Sequence, residues 1–224
     1  MKIISHRGIC EHSKWKENTL EALLFALQQK EIDGIELDVR MTKDHVLVIH
    51  HDVMIHSSSD GTGVISWLTL SELYQYNFGT KKHPSKIATL ENLLQNIHSN
   101  KEILIEIKSD YEENIMIQKI CELLKKYSFL NIKICSFKES ILRKIKHQYP
   151  KIDVGKITFL NPEKKEVNFN FYSVYYKNIS SHFSSNYVWT IKNKKELSFL
   201  KQNKDFEVLN IITDIPKTVF YERK

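Results

Sequence analysis

Cysteine, arginine and long apolar runs are all scarce in this 224-residue chain, and each scarcity removes a class of protein. The three cysteines, Cys10, Cys121 and Cys135, are odd in number, widely spaced and free of any C-x-x-C pair. They argue against a disulfide framework and a zinc site, and are expected to be reduced and structural. Arginine appears only at Arg7, Arg40, Arg143 and Arg223, so the 33 basic residues are overwhelmingly lysine. The lysines are scattered, as in KKHPSK, LLKKYS and IKNKKELSF, and do not interleave with aromatics as a base-stacking surface requires. A solvated surface with no nucleic-acid partner follows, although the formal net charge of +6 also draws anionic substrates inward. No run of eighteen apolar residues exists, so no transmembrane segment is expected. Lys2, Ser5, His6 and Arg7 stand where the apolar core of a secretory leader would lie, and a cytoplasmic location is the expectation. A Gly-rich P-loop, a G-x-S-x-G elbow, a dinucleotide fingerprint and internal repeats are all missing.

With 42% hydrophobic residues the chain can bury one sizeable core, and a single domain over 1–224 is expected. Short β-rich runs alternate with stretches of helical periodicity, the pattern of a parallel sheet with crossover helices. The strands fall at Lys2–Ser5, Gly34–Val39, Ile103–Ile107, Ile132–Cys135, Ile152–Gly155, Phe171–Tyr175, Tyr187–Thr190 and Val208–Ile212. Helices are predicted over Thr19–Gln29, Leu90–Ile97, Tyr111–Tyr127, Lys138–Tyr149 and Lys194–Asn203. Eight strands with intervening helices point to an α/β fold, a compact (β/α)8 TIM barrel with its chemistry at the C-terminal ends of the strands. About 250 residues is typical of such a barrel. Some outer helices should therefore be short or missing, above all between Tyr176 and Asn186 and after Pro216. Val46–His50 adds a strand after the second, and the following 53–84 segment, with turn signals from Ser57 to Gly63 and a short helix at Thr69–Tyr76, reads as an insertion on the catalytic face.

In GIELDVR, Glu36 and Asp38 are two apart on a strand and project from one face; in ILIEIKSD the same alternation pairs Glu106 with Lys108. Ionised carboxylates in a dry interior repel, so something cationic should lie between them. Spacing leaves two readings open. A hard divalent ion such as Mg²⁺ or Ca²⁺ could be held by Glu36, Asp38 and Glu106; alternatively the carboxylates are solvated or paired with Lys108 and Arg40. Of ten histidines, His12, His45, His56, His83, His98, His147 and His182 sit in polar loops or helix flanks and read as surface residues. His6 ends a strand before Arg7 and Gly8, and the His50-His51 pair follows an apolar run and precedes Asp52. Alternation sends the paired rings to opposite faces, so only one can join a site. Two imidazoles, a cation site, an arginine and a lysine suit phosphodiester cleavage: the cations neutralise the phosphoryl oxygens while one imidazole takes a proton and the other gives one to the leaving alkoxide.

The order of short motifs resembles the glycerophosphodiester phosphodiesterase family: SHRG at 5–8, ENT at 17–19, IELDV at 35–39, TKD at 42–44, HHD at 50–52, IEIK at 105–108, SF at 136–137, WT at 189–190 and TDIP at 213–216. The resemblance implies a barrel and divalent-metal-dependent hydrolysis of glycerophosphodiesters to sn-glycerol 3-phosphate and an alcohol, with Mg²⁺ or Ca²⁺, or else Mn²⁺, as cofactor. It implies His6 and His51 as the acid/base pair, Glu36, Asp38 and Glu106 as metal ligands, and Arg7 and Lys108 as phosphate binders. Phe137 and Trp189 match the walls of the substrate cleft, against plainer roles in helix packing and barrel core. Asp52 could orient His51, and Glu17-Asn18 could fix the first helix near the site. The chain departs from the family at Glu31, His45 and Asn210, where glycine is usual, and at Ile191-Lys192 after the WT pair; these changes are expected to touch turns more than chemistry. A related barrel phosphodiesterase for lysophospholipids or phosphoinositides is the alternative, with Val64, Ile65, Trp67 and Leu68 as an apolar lip. The remaining possibility is an inactive basic binding protein.

Overall fold

Strand alternation decides the architecture of the computed structural model, which describes residues 1–11, 13–108, 112–160, 169–179, 186–202 and 209–222. The strands are β1 (Ile3–His6), β2 (Gly34–Met41), β3 (Leu47–Ile49), β4 (Glu102–Ile107), β5 (Ile132–Ser136), β6 (Asp153–Thr158), β7 (Phe171–Tyr175), β8 (Asn186–Ile191) and β9 (Asn210–Thr213). On β2, Ile35, Leu37 and Val39 join the apolar layer beneath the helices, as do Ile103, Ile105 and Ile107 on β4. That leaves Glu36, Asp38, Leu104 and Glu106 on the opposite, inner face. All strands but β3 pair in parallel, and β1 pairs with both β2 and β9, which closes an eight-stranded (β/α)8 barrel. The antiparallel β3 lies outside the closure, with Ile49 opposite Val39 at the end of β2.

Helices α1 (Leu20–Gln28), α2 (Leu70–Leu73), α3 (Leu90–Gln95), α4 (Glu113–Lys126), α5 (Glu139–Gln148), α6 (Lys194–Lys201) and α7 (Pro216–Glu222) follow. Thr19, Thr69, Thr89 and Asn193 each accept an orphan N–H at a helix start, which contributes about 1 kcal/mol per cap. Leu23 and Ala26 of α1 and Ile117 and Ile120 of α4 are buried in the layer that covers the sheet. Each buried Leu or Ile there is worth about 1.5–3 kcal/mol, enough to fix which face of the sheet is outward. The expected helices all form within a few residues of their predicted bounds. The outer helix at the C-terminus, expected to be short or missing, is short: Pro216 supplies the first residue of the seven-residue α7. Among the described residues no α-helix lies between β6 and β8, where a 3₁₀ turn at Tyr176–Asn178 follows β7. His12, Ser180–Ser185 with His182, the strand start at Val208, and the helix bounds predicted at Tyr111 and Asn203 lie outside the described residues.

The barrel interior is layered. At the floor Glu102 accepts from Lys2 Nζ (2.6 Å) and from the Tyr187 hydroxyl, and lies 3.1 Å from Lys133 Nζ. Above it Ile4, Leu104, Cys135, Ile157, Phe171 and Ile212 fill the centre. Gly34 is needed at the crowded start of β2, since a Cβ there would stand 2.4 Å from the Glu102 carbonyl oxygen. Between β3 and α3 a separate apolar cluster gathers Val48, Ile55, Ile65, Leu73, Phe78 and Ile87. Of the three positions where family glycines are usual, only His45 has a left-handed backbone (φ +61°). Asn210 is instead a strand residue whose Oδ1 accepts the Lys2 N–H at 3.0 Å, so that departure acts on strand closure and not on a turn. No described helix is long and apolar enough to cross a membrane.

Candidate active site

β1 runs directly into the site. Arg7 (φ +54°) and Gly8 (φ +73°) turn the chain through left-handed conformations, and a Cβ on Gly8 would sit 2.8 Å from Leu23 N of α1. Glycine therefore answers two demands there, the dihedral and the close approach of a helix. The same turn aims Arg7 inward. Its Nε is 3.1 Å from Asp38 Oδ2, its Nη1 donates to Glu17 Oε1 (2.8 Å), and its backbone N–H donates to Glu36 Oε2 (3.2 Å). The ENT stretch completes this corner: Asn18 Nδ2 donates to Asp38 Oδ2 (2.9 Å), and the Asn18 N–H donates to the Arg7 carbonyl (2.8 Å).

Register explains how the carboxylates meet. Asp38 pairs with Glu106 across β2 and β4, and His6 pairs with Glu36 across β1 and β2. One oxygen each of Glu36, Asp38 and Glu106 lies within 4.8 Å of the others, and all three residues are buried. Lys108 Nζ bridges Asp38 Oδ1 (2.9 Å) and Glu106 Oε1 (2.5 Å). Arg40, offered by spacing as a partner, is corrected: at the end of β2 it turns to the β3 side, where its Nε donates to the His51 carbonyl (2.8 Å). Arg7 takes its place. Burial raises the Glu36 carboxyl well above its usual range, and the Asp38 and Glu106 charges push it further. Burial acts on Asp38 in the same direction, but Lys108 and Arg7 outweigh it and hold that carboxyl well below the ordinary range. Burial also leaves Glu106 raised. Three carboxyl groups thus face two cations, and the raised Glu36 marks the one whose charge lacks a counterion. An all-oxygen donor set short of one countercharge fits a hard divalent cation.

Each candidate histidine is tied to an aspartate. His6 Nδ1 lies 2.7 Å from Asp214 Oδ1, and its Nε2 is 3.9 Å from Glu36 Oε2. His51 Nδ1 lies 2.7 Å from Asp52 Oδ1, whose other oxygen accepts from Ser57 Oγ (2.5 Å). A carboxylate on Nδ1 fixes the tautomer and leaves Nε2 to exchange a proton. Burial lowers the His51 pKa, with Asp38 opposing that shift. His50 faces away from the cleft, as alternation requires, and bonds to the Asp52 carbonyl and to Ser58.

These side chains share a cleft of about 340 Å³, lined by His6, Arg7, Glu36, His51, Glu106 and Lys108 on its polar side. Asp38 sits behind them, between Arg7 and Lys108. Its apolar side holds Phe137 and Trp189, with ring centroids 5.7 Å apart, and Trp189 Nε1 donates to the Ser173 carbonyl (3.0 Å). All nine sequence-derived candidates therefore converge. Sequence reasoning assigned no role to Asp214, although TDIP was in view, and missed Phe159 and Tyr175, whose rings pack 5.2 and 5.4 Å from Trp189. All three stand at or just past strand ends on the catalytic side, the one signal that could have found them.

Fold and site define a (β/α)8 barrel whose cleft gathers three carboxyl groups, two histidines, an arginine and a lysine. A profile of the glycerophosphoryl diester phosphodiesterase family matches residues 6–218, and the chain belongs to that family. The Bacillus subtilis (strain 168) protein YhdW is 28% identical over 245 residues, covering 100% of this chain and 98% of the relative. A glycerophosphodiester phosphodiesterase of Caldanaerobacter subterraneus is 28% identical over 241 residues, covering 97% of this chain and 95% of its own. Among solved structures, an Oleispira antarctica phosphodiesterase in complex with the product sn-glycerol-3-phosphate superposes with a TM-score of 0.85 at 23% identity, covering 98% of this chain and 95% of that one.

Proposed function

We propose that this phosphodiesterase hydrolyses glycerophosphodiesters to sn-glycerol 3-phosphate and an alcohol, with His6 and His51 transferring the protons. The observation that carries the proposal is the buried Glu36–Asp38–Glu106 cluster in one cleft with two aspartate-oriented histidines. Arg7 and Lys108 place positive charge where the phosphoryl oxygens must lie. One imidazole accepts the proton of the attacking hydroxyl, from water or, by way of a cyclic phosphate that water then opens, from the substrate's own glycerol, as that oxygen bonds to phosphorus. The other protonates the alkoxide as the P–O bond to it breaks. Asp214 and Asp52 hold the rings with Nδ1–H on the carboxylate and Nε2 free to exchange a proton, and stabilise each ring while it is an imidazolium. A divalent cation held by Glu36, Asp38 and Glu106 would supply further charge neutralisation at the phosphoryl group. Phe137 and Trp189 form the apolar wall against the carbon skeleton of the substrate, and the product bound to the Oleispira antarctica relative supports glycerol phosphate as its class.

The lysophospholipid alternative has weaker support in the proposed lip. Ile65 is 1% exposed, Leu68 packs on the same cluster, and none of Val64, Ile65, Trp67 and Leu68 lines the cleft; Trp67 alone of the four is largely open, at 74%. The test is release of sn-glycerol 3-phosphate from a panel of glycerophosphodiesters, with EDTA and with Mg²⁺, Ca²⁺ or Mn²⁺ restored. Activity lost on chelation and regained with the ion is expected. Full activity in EDTA would remove the metal role, and faster turnover of lysophosphatidylcholine than of glycerophosphocholine would change the substrate class.

A further inference from the structure

The residue next to the proposed proton-transfer group is better buried than the group itself. His50 is 3% exposed and packs edge-on against Phe78 with ring centroids 6.0 Å apart. Both its nitrogens are engaged. Nδ1 lies 2.8 Å from the Asp52 carbonyl oxygen, which can only accept, so Nδ1 carries the hydrogen. Nε2 lies 2.5 Å from Ser58 Oγ and in the neutral ring accepts from it. Burial lowers the pKa of this imidazole and favours that neutral form. A single side chain therefore grips the 52–58 loop at both ends.

Within that loop sits the carboxylate that orients His51. Adjacent residues of an extended chain point to opposite sides, so His51 and Asp52 can meet only where the backbone bends between them. Asp52 is half-exposed and would otherwise rotate into solvent. Ser57 Oγ donates to Asp52 Oδ2, and outside the loop Lys16 Nζ donates to the Ser58 carbonyl at 2.7 Å. Arg40 Nε donates to the His51 carbonyl, so the strand end itself is also anchored.

We propose that His50 is a positioning residue that clasps the 52–58 loop, keeping the Asp52 carboxylate on His51 Nδ1. The inference rests on the reading of His51 as a proton-transfer residue. It is tested on the full chain with its divalent cation, by kcat and KM for sn-glycerol 3-phosphate release from glycerophosphocholine, for His50→Phe, His50→Asn, Asp52→Asn and their doubles. His50→Phe, which fills the space without hydrogen bonds, should lower kcat by roughly tenfold to a hundredfold with KM within about twofold. His50→Asn retains a donor for the Asp52 carbonyl and should lose less. In the Asp52→Asn background His50→Phe should cost less than about twofold more, because both act through one carboxylate. Multiplicative losses, a rise in KM alone or an unchanged kcat would overturn the proposal. Should His50→Phe fail to fold, Ser58→Ala removes the other end of the clasp and enters the same cycle. His51→Ala separates the two claims: full kcat there defeats the acid/base reading, whereas lost kcat with multiplicative His50 and Asp52 effects defeats the clasp alone.

Discussion

Replacing Glu36 by glutamine should make the metal-free protein more stable while removing most of its activity. The carboxylate oxygens of Glu36, Asp38 and Glu106 lie within 4.8 Å of one another. Two like charges at that distance repel by about 3–4 kcal/mol at an effective dielectric constant near 20. Arg7 and Lys108 return much of this, so the net relief on neutralising Glu36 is on the order of 1–3 kcal/mol, or about 2–10 °C in Tm for a chain of this size. The sign follows from proton binding. Burial and two neighbouring carboxylates raise the folded-state pKa of Glu36, so above the unfolded value of about 4.3 the folded state binds more protons than the unfolded one, and wild-type stability falls as pH rises. Thermal unfolding in EDTA should therefore show the glutamine variant ahead at pH 8 and level with wild type near pH 4. Saturating Mg²⁺ should reverse the order, because wild type gains about 2.7 kcal/mol at one hundred times Kd and the variant, short of one ligand, gains less. A variant less stable than wild type in EDTA at pH 8, or a gap that ignores pH, would refute the charge argument.

Other outcomes follow from the same geometry. His6→Ala and His51→Ala should each lower kcat by roughly 10²–10⁴ with little change in Tm, read from sn-glycerol 3-phosphate release. Asp214→Asn leaves the His6 ring without the acceptor that fixes its tautomer, and should cost roughly two orders of magnitude or more in kcat; a loss below threefold would show that Asp214 only packs. At the barrel floor, Glu102→Gln should destabilise by about 3–5 kcal/mol at pH 7 in urea unfolding, since it strips a buried carboxylate from Lys2, Lys133 and Tyr187. Hydrogen bonds from Lys2 and Tyr187 and the Lys133 charge outweigh burial and lower the Glu102 pKa. Its contribution is present above the unfolded value and lost as pH falls through the folded one, so the difference between the two proteins should shrink below about pH 4.

The strand pattern was legible because alternation is local: Ile35, Leu37 and Val39 against Glu36 and Asp38 can be sorted from seven letters. The same rule separated His50 from His51, and the motif order assigned the two. The partners of those residues were not legible. Spacing offered Arg40 to the carboxylates, yet the β2–β3 pairing carries Arg40 to the His51 carbonyl and leaves Asp38 to Arg7. After Pro216 the sequence left open whether the outer helix is short or missing; proline at the first turn of a helix loses no hydrogen bond, and the short α7 forms.

The sequence by itself determined the eight strands and the inward carboxylates, because both depend on a periodicity of two, whereas the choice of His6 and His51 for proton transfer came from the order of motifs along the whole chain. Only the tertiary structure decided that Asp214 belongs to His6, since they are 208 residues apart and meet because β9 pairs with β1. It also gathered Phe137, Phe159, Tyr175 and Trp189 from separate βα loops and strand ends into one apolar wall. Closure of the barrel sets these meetings, and closure is a property of all the strand registers together, which no local stretch of sequence encodes.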